Sequence, residues 1–233
     1  MYFTGIGTAV NSGAIILGTF IGLILKSGLP EKVEKILVQA VGLAVVVIGI
    51  QMALQTKNIL ICVVSLSIGA IIGEIIDIDN LFNRFGQWAG IKIAHGNASV
   101  GAKIATGFIT ASLLFCPGAM GVVGAIQDGL PHDATTLYAK ALLDGIFSII
   151  MGANLGIGVA LSAVSVGIYQ GAITLFSELL APVATPAVLA EITSVGGIMV
   201  LGIGLNLLEI TKIKIANIIP ALIPAVVIAY YFG

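Results

Sequence analysis

Apolar stretches of about twenty residues, the length that spans a bilayer as helix, recur from one end of this chain to the other. They lie at 8–25, 36–54, 59–76, 104–126, 136–154, 157–178, 187–208 and 215–232. Hydrocarbon offers no partner for a backbone N–H or C=O, and a helix satisfies its own groups within the segment. Composition agrees: 58% of residues are hydrophobic and 9% charged, with mean hydropathy +1.15, against about 25% charged in a soluble domain. The sequence therefore predicts an all-α polytopic membrane protein, a single transmembrane domain over residues 1–233. A net charge of −1, with no basic tract, gives no reason to expect nucleic acid as a partner.

Thr136 to Leu180 is long enough for two passes, and Gly152-Ala153-Asn154-Leu155-Gly156-Ile157-Gly158 is the natural place to turn. That gives about eight spans, with seven or a re-entrant pair as the rival count. The basic residues test the count. Lys26, Lys32, Lys35, Arg84, Lys92, Lys103, Lys212 and Lys214 fall in loops on one side, and only Lys57 and Lys140 fall opposite. Cytoplasmic loops are enriched in Lys and Arg, so both termini are expected outside the cytoplasm. The residues before the first span lack a positive n-region and no A-x-A site follows, so this segment reads as a retained helix. The one long loop, Asn80–His95, places Leu81, Phe85 and the sole tryptophan, Trp88, at helical spacing. It predicts an amphipathic helix in the cytoplasmic interface.

Two registers of internal repetition are visible. In the first, Asn11-Ser12-Gly13-Ala14-Ile15-Ile16-Leu17 aligns with Tyr169-Gln170-Gly171-Ala172-Ile173-Thr174-Leu175, and Val41-Gly42 through Gln51 to Thr56-Lys57 aligns with Val195-Gly196 through Asn206 to Thr211-Lys212. Spans 1–3 would then repeat as spans 6–8, as units 8–76 and 157–232 around a central hairpin, 104–154. Equivalent spans are five apart, an odd number, so the copies are inverted, an architecture that puts a site near mid-membrane. In the second, Gly28-Leu29-Pro30 matches Gly129-Leu130-Pro131 and pairs spans 1–2 with 4–5, also inverted.

The chemistry concentrates between spans 4 and 6. Asp128 ends one apolar segment and Asp144 lies about two turns inside the next, with Gln127 and Lys140 beside them. A charge near the bilayer centre costs roughly 2.5–3.5 kcal/mol on insertion scales and normally faces a partner or a water-filled path. The short connection brings both carboxylates within reach of one pocket, and Lys140 is one turn from Asp144, able to neutralise it. Asn154 and Gln170 are further polar candidates for an ion or solute site; interhelical hydrogen bonding is the alternative use of such residues. Cys116-Pro117-Gly118 breaks span 4, and proline frees carbonyls of the preceding turn, either for a ligand or as a packing kink. Cys62 and Cys116 read as buried thiols, and His95 and His132 have no metal-ligand spacing, so no metal and no cofactor is expected. No nucleotide loop or nucleophile–base constellation argues for an enzyme. Gly18-x-x-x-Gly22, Gly69-x-x-x-Gly73 and Gly152 with Gly156 supply faces for close packing within the chain or in a homo-oligomer.

Phe115-Cys116-Pro117-Gly118-Ala119-Met120, Gly124-Ala125-Ile126-Gln127-Asp128-Gly129-Leu130, Lys140-Ala141-Leu142-Leu143-Asp144-Gly145, Leu155-Gly156-Ile157-Gly158-Val159 and Tyr169-Gln170-Gly171 together resemble the YqgA/YdfK-like bacterial inner-membrane proteins, domain-of-unknown-function family 554. The family tends to have glycine before the aspartate that follows Gln-Asp-Gly-Leu, where this chain has Pro131-His132-Asp133. The resemblance implies a multi-pass protein of the bacterial inner membrane, often described as a transporter, with no settled substrate. The functional expectation is a secondary transporter or channel for a small ion or solute, embedded among membrane lipids. The alternative is a non-transporting scaffold or regulatory membrane protein.

Overall fold

The structure, a computed structural model, describes residues 3–26, 31–81, 84, 98–116, 118–130 and 132–233. The interfacial helix expected around Trp88 lies outside them. Among the described residues there is no strand. The helices are α1 (Ile6–Lys26), α2 (Glu31–Ala53), α3 (Ile59–Ile76), α4 (Ala98–Phe115), α5 (Ala119–Gly129), α6 (Thr135–Leu155), α7 (Gly158–Leu175), the single turn α8 (Ser177–Leu180), α9 (Pro186–Leu207), and a 3-10 segment, Ile215–Ala221, that continues into α10 (Leu222–Phe232). Among the described residues six helices are long and apolar enough to cross a membrane: α1, α3, α6, α7, α9 and the 215–232 helix. The pair Ser99–Phe115 and Met120–Gly129, bent by 70°, would make a seventh. Large apolar side chains such as Ile24, Ile75, Leu142 and Leu175 stand exposed on the helices. Such an exterior suits lipid and would be costly in water.

The helix ends follow local chemistry. The turn expected between the fifth and sixth apolar stretches falls at Gly156, whose φ of +82° suits a residue without Cβ. Asn58 caps α3 by accepting the Leu60 N–H at 3.1 Å, and Thr185 caps α9 by accepting the Val188 N–H at 3.2 Å ahead of Pro186.

The chain forms two compact units. The first comprises Met1–Leu37, Asn83–Cys116 and Met120–Ala181; the second comprises Val38–Phe82, Pro117–Ala119 and Pro182–Gly233. In the first unit α1 is the hub, packed on both α6 and α7. Its register against α6 advances in step: Gly7 faces Leu137, Gly18 faces Gly145 and Ser148, and Gly22 faces Ile149 and Ala153. The two helices are therefore parallel. Against α7 the register reverses, Asn11 meeting Gln170 and Ser12 meeting the Ala163 carbonyl. Helix α4 runs parallel to α7: Ile104 lies on Gly158, and Ser112 Oγ donates to Ser165 Oγ at 3.0 Å. Ile15, Phe115, Met151, Val159 and Val166 form the core where α1, α4, α6 and α7 meet.

In the second unit, α2 and α9 pack antiparallel, with Gly42 against Leu208 and Gly49 against Leu201. Helix α3 packs antiparallel to the 215–232 helix, Gly69 against Ala221 and Gly73 against Asn217. Glu191, with no exposure, is an anchor that sequence reading overlooked. Its carboxylate accepts the Thr56 hydroxyl at 2.7 Å and the Lys57 and Asn58 N–H groups at 2.6 and 3.0 Å, tying down the α2–α3 turn. At the other end of α3, Glu74 accepts from Lys214 Nζ at 2.7 Å and from Asn217 Nδ2 at 2.6 Å. The hydrogen bond to Glu74 and the charge of that carboxylate hold the Lys214 pKa above its ordinary value.

The glycines of the Gly-x-x-x-Gly faces are consumed inside the units. A Cβ on Gly22 would lie 2.8 Å from the Ala153 nitrogen, and one on Gly152 2.7 Å from the Thr19 carbonyl oxygen. Gly13, on the same α1, has nothing within 4 Å of that position. Gly22→Val should therefore force α1 and α6 apart and lower stability by about 1–3 kcal/mol, the usual cost of overpacking. Gly13→Ala should melt at or above wild type. Melting in mild detergent checks both, and equal values for the two variants would contradict the close approach.

Candidate functional site

An i, i+4 spacing puts Lys140 and Asp144 on one face of α6, and that face is turned inward. Lys140 Nζ donates to both carboxylate oxygens of Asp144, at 2.9 and 2.7 Å, with the two side chains 10% and 8% exposed. Asn11 of α1, wholly buried, donates from Nδ2 to Asp144 Oδ2 at 3.0 Å and to Gln170 Oε1 of α7 at 3.2 Å. Three helices are thus stitched through one amide.

The chain of donors fixes the amide orientations. A carboxylate paired with an ammonium only accepts, so Asn11 must present its NH₂ to it. The same NH₂ can meet only an oxygen on Gln170, which turns Gln170 Nε2 away. That nitrogen, in a side chain with no exposure, has no partner among the described residues, and neither do Asn11 Oδ1 or Ser148 Oγ. Native proteins leave few buried polar atoms unsatisfied, so three in one neighbourhood call for an explanation.

Gln170 Nε2 faces the first turn of α5. A Cβ placed on Gly121 would be 3.7 Å from that nitrogen, 3.5 Å from Lys140 Cε and 3.5 Å from the Cys116 carbonyl oxygen. Gly118, between α4 and α5, has a φ of +144°. Helix α4 ends at Phe115 and α5 begins at Ala119, on either side of the Cys116-Pro117-Gly118 segment. Pro117 itself lies outside the described residues.

Of the sequence-predicted site residues, the structure brings Lys140, Asp144 and Gln170 together, and adds Asn11 and Gly121. It separates the others. Asp128, also wholly buried, accepts the Gly7 N–H at 3.2 Å, where its charge suits the positive end of α1. The two carboxylates touch α1 about one turn apart, each with its own partners, and the shared pocket expected for them does not form. Gln127 Oε1 accepts the Thr136 hydroxyl at 2.6 Å, bracing the α5–α6 connection. Asn154 donates back to the Ile150 carbonyl at 2.7 Å, near the far end of α6. In the α5–α6 connection, the Thr135 side chain and N–H hold the Asp133 carboxyl below the usual carboxylate range. Cys62 and Cys116 are free thiols, and no metal-binding group of three or more side chains occurs among the described residues.

An apolar helical exterior around a buried polar cluster defines a polytopic helical membrane protein. The chain belongs to the family described as Protein of unknown function (DUF554), whose model matches residues 6–230. It is 37% identical over 227 residues to "Uncharacterized membrane protein YdfK" of Bacillus subtilis (strain 168), covering 95% of each chain. It is 29% identical over 221 residues to "Uncharacterized protein YqgA" of Escherichia coli (strain K12), covering 94% of each. No solved structure matches.

Removing one partner of a buried ion pair strands the other, at a typical cost of about 3–5 kcal/mol. Lys140→Met should therefore destabilise strongly, and Lys140→Met/Asp144→Asn should recover most of the loss, a coupling of the kind contacting residues show. Additive losses in the two single variants and the double variant would mean that the pair is not coupled.

Proposed function

We propose that this protein is a secondary transporter or channel for a small ion or solute, with its site at the Lys140–Asp144–Asn11–Gln170 cluster. The observation that carries the reading is the set of unpartnered buried polar atoms beside that ion pair. A scaffold needs only neutralised charges, whereas this cluster keeps unspent hydrogen-bonding capacity next to a helix break. Discontinuous helices at membrane depth are a recurrent means of building a transport site.

The reading includes eight spans with both termini outside the cytoplasmic face of a bacterial inner membrane. Helix direction supports the count. That α4 is parallel to α7 and α1 to α6 supports reading the bent pair α4–α5 as a crossing. The first repeat register also gains support: α1 packs on α7, α2 on α9, and α3 on the 215–232 helix, and these are the pairs it makes equivalent. A homo-oligomer stays part of the proposal, although Gly18, Gly22, Gly69, Gly73 and Gly152 serve packing inside the chain and lend it nothing.

Reporter fusions after Lys35, Lys103 and Lys214 should read cytoplasm, and fusions after Lys57 and Gly233 the outside. A cytoplasmic C-terminus would refute eight spans. For function, liposomes carrying the protein should pass at least one member of a panel of small ions and metabolites. Asp144→Asn leaves the Lys140 ammonium unpaired and should lower the melting temperature, and in the protein that stays folded it should cut that flux at least tenfold. Wild-type flux in a folded Asp144→Asn protein would remove the cluster from the pathway.

A further inference from the structure

We infer that the proton is the coupling ion of this site: Asp144 binds it, and the Asn11 and Gln170 amides turn over together as it binds. This rests on the transport reading above and adds the ion to it.

The buried charges call for one proton. Where α1, α6 and α7 meet, the first unit buries two carboxylates, Asp128 and Asp144, and one ammonium, Lys140. Both carboxylates bond to α1, at Gly7 and at Asn11, about one turn apart. Unbalanced charge away from water costs several kcal/mol, and a single added proton brings the three groups to neutrality. The other titratable neighbours are the Cys116 thiol, within electrostatic reach of Lys140 and Asp144, and the Tyr169 hydroxyl of α7, within reach of Cys116. From α1 the cluster receives only Asn11, which does not titrate.

The hydrogen bonds select the carboxylate. Protonation turns one carboxylate oxygen into a donor, so the group facing it must change from donor to acceptor. Asp128 faces the Gly7 backbone N–H, which cannot change. Asp144 Oδ2 faces Asn11 Nδ2, one end of an amide whose other end is an acceptor. The oxygen and the NH₂ differ little in size, so a half-turn exchanges them within the volume the side chain already fills.

That half-turn passes on to Gln170. With Asp144 ionised, Asn11 Nδ2 donates to Asp144 at 3.0 Å and to Gln170 Oε1 at 3.2 Å, while Asn11 Oδ1 and Gln170 Nε2 have no partner among the described residues. With Asp144 protonated and both amides turned, Asn11 Oδ1 accepts from Asp144 and from Gln170 Nε2, and Asn11 Nδ2 and Gln170 Oε1 are idle instead. Each arrangement makes two bonds between the three side chains and leaves two amide atoms idle, so the proton decides between them. A network fully satisfied in one state would be locked in it. Lys140 Nζ touches both oxygens and keeps its bond to Oδ1 at 2.9 Å. The proton comes from water, forms an O–H bond on Oδ2, and returns to water when the amides turn back.

The test is infrared difference spectroscopy of the full chain in lipid, acid minus neutral, with glutamine side-chain amides isotope-labelled. Fluxes in liposomes accompany it, with protons and the panel of small ions and metabolites as probes. We expect acid to raise a protonated-carboxyl band that the charge-balanced variant Lys140→Met/Asp144→Asn lacks. A labelled-amide shift that Gln170→Met removes should accompany it, and that shift should fall at least tenfold in Asn11→Leu, which keeps the carboxyl band. A pH gradient should change the flux of the transported solute at least tenfold. No carboxyl band in wild type, or one that survives in the double variant and is lost in Asp128→Asn, would overturn the assignment to Asp144. A carboxyl band without the Gln170 shift, or a shift unaltered in Asn11→Leu, would overturn the paired turnover. Solute flux indifferent to the pH gradient would overturn the coupling and keep the transport reading. The infrared changes without flux of protons or any panel member would keep the proton site and overturn transport. Neither infrared change nor flux would overturn both.

Discussion

Burying Lys140 against Asp144 imposes conditions on every helix around it. Two charges withdrawn from water lose several kcal/mol of solvation each, and mutual attraction repays this only when the geometry is close and the remaining lone pairs are met. The pair meets the first condition by its i, i+4 register, which lets Nζ reach both oxygens. It meets the second by recruiting Asn11 from α1. Asn11 can reach only because α1 lies unusually close to α6, and that closeness is set by Gly7, Gly18, Gly22 and Gly152. The small-residue faces and the polar cluster are one design: without the glycines, the amide would stand too far from the carboxylate.

Much of this was legible beforehand, for identifiable reasons. Apolar length marked the helices, since a bilayer demands it, and the glycine-rich run ending at Gly158 marked the α6–α7 turn. Lys140 with Asp144 was legible because a four-residue spacing depends on helix geometry alone. Asn11 was visible only as the first residue of the aligned repeat segment. Its role depends on a partner 133 positions away, and no local pattern encodes that. Glu191 was missed altogether: a single carboxylate near the start of an apolar segment looks like a solvated end, whereas it is buried against the turn before α3.

The failure to join Asp128 with Asp144 is instructive. Proximity in sequence and a short connection made a shared pocket the simplest expectation. The geometry instead gives each carboxylate a different donor on α1, the Gly7 N–H for one and the Asn11 amide for the other. A carboxylate at the positive end of a helix gains from the free N–H groups there, so Asp128 has a structural use that needs no ligand. Asp144 faces a side-chain network instead, and that network ends in atoms without partners.

That difference separates a charge kept for packing from a charge kept for work. Around Asp128 and Glu191 the donors converge on the carboxylate and fix a helix end or a turn. Around Asp144 the same accounting runs outward: the carboxylate dictates Asn11, Asn11 dictates Gln170, and Gln170 presents an N–H pair toward Gly121 and the start of α5. The network around Asp144 therefore runs from the ion pair through two amides and ends at a buried nitrogen beside Gly121 that no described residue engages, whereas at Glu191 the hydrogen bonds close on the turn they hold.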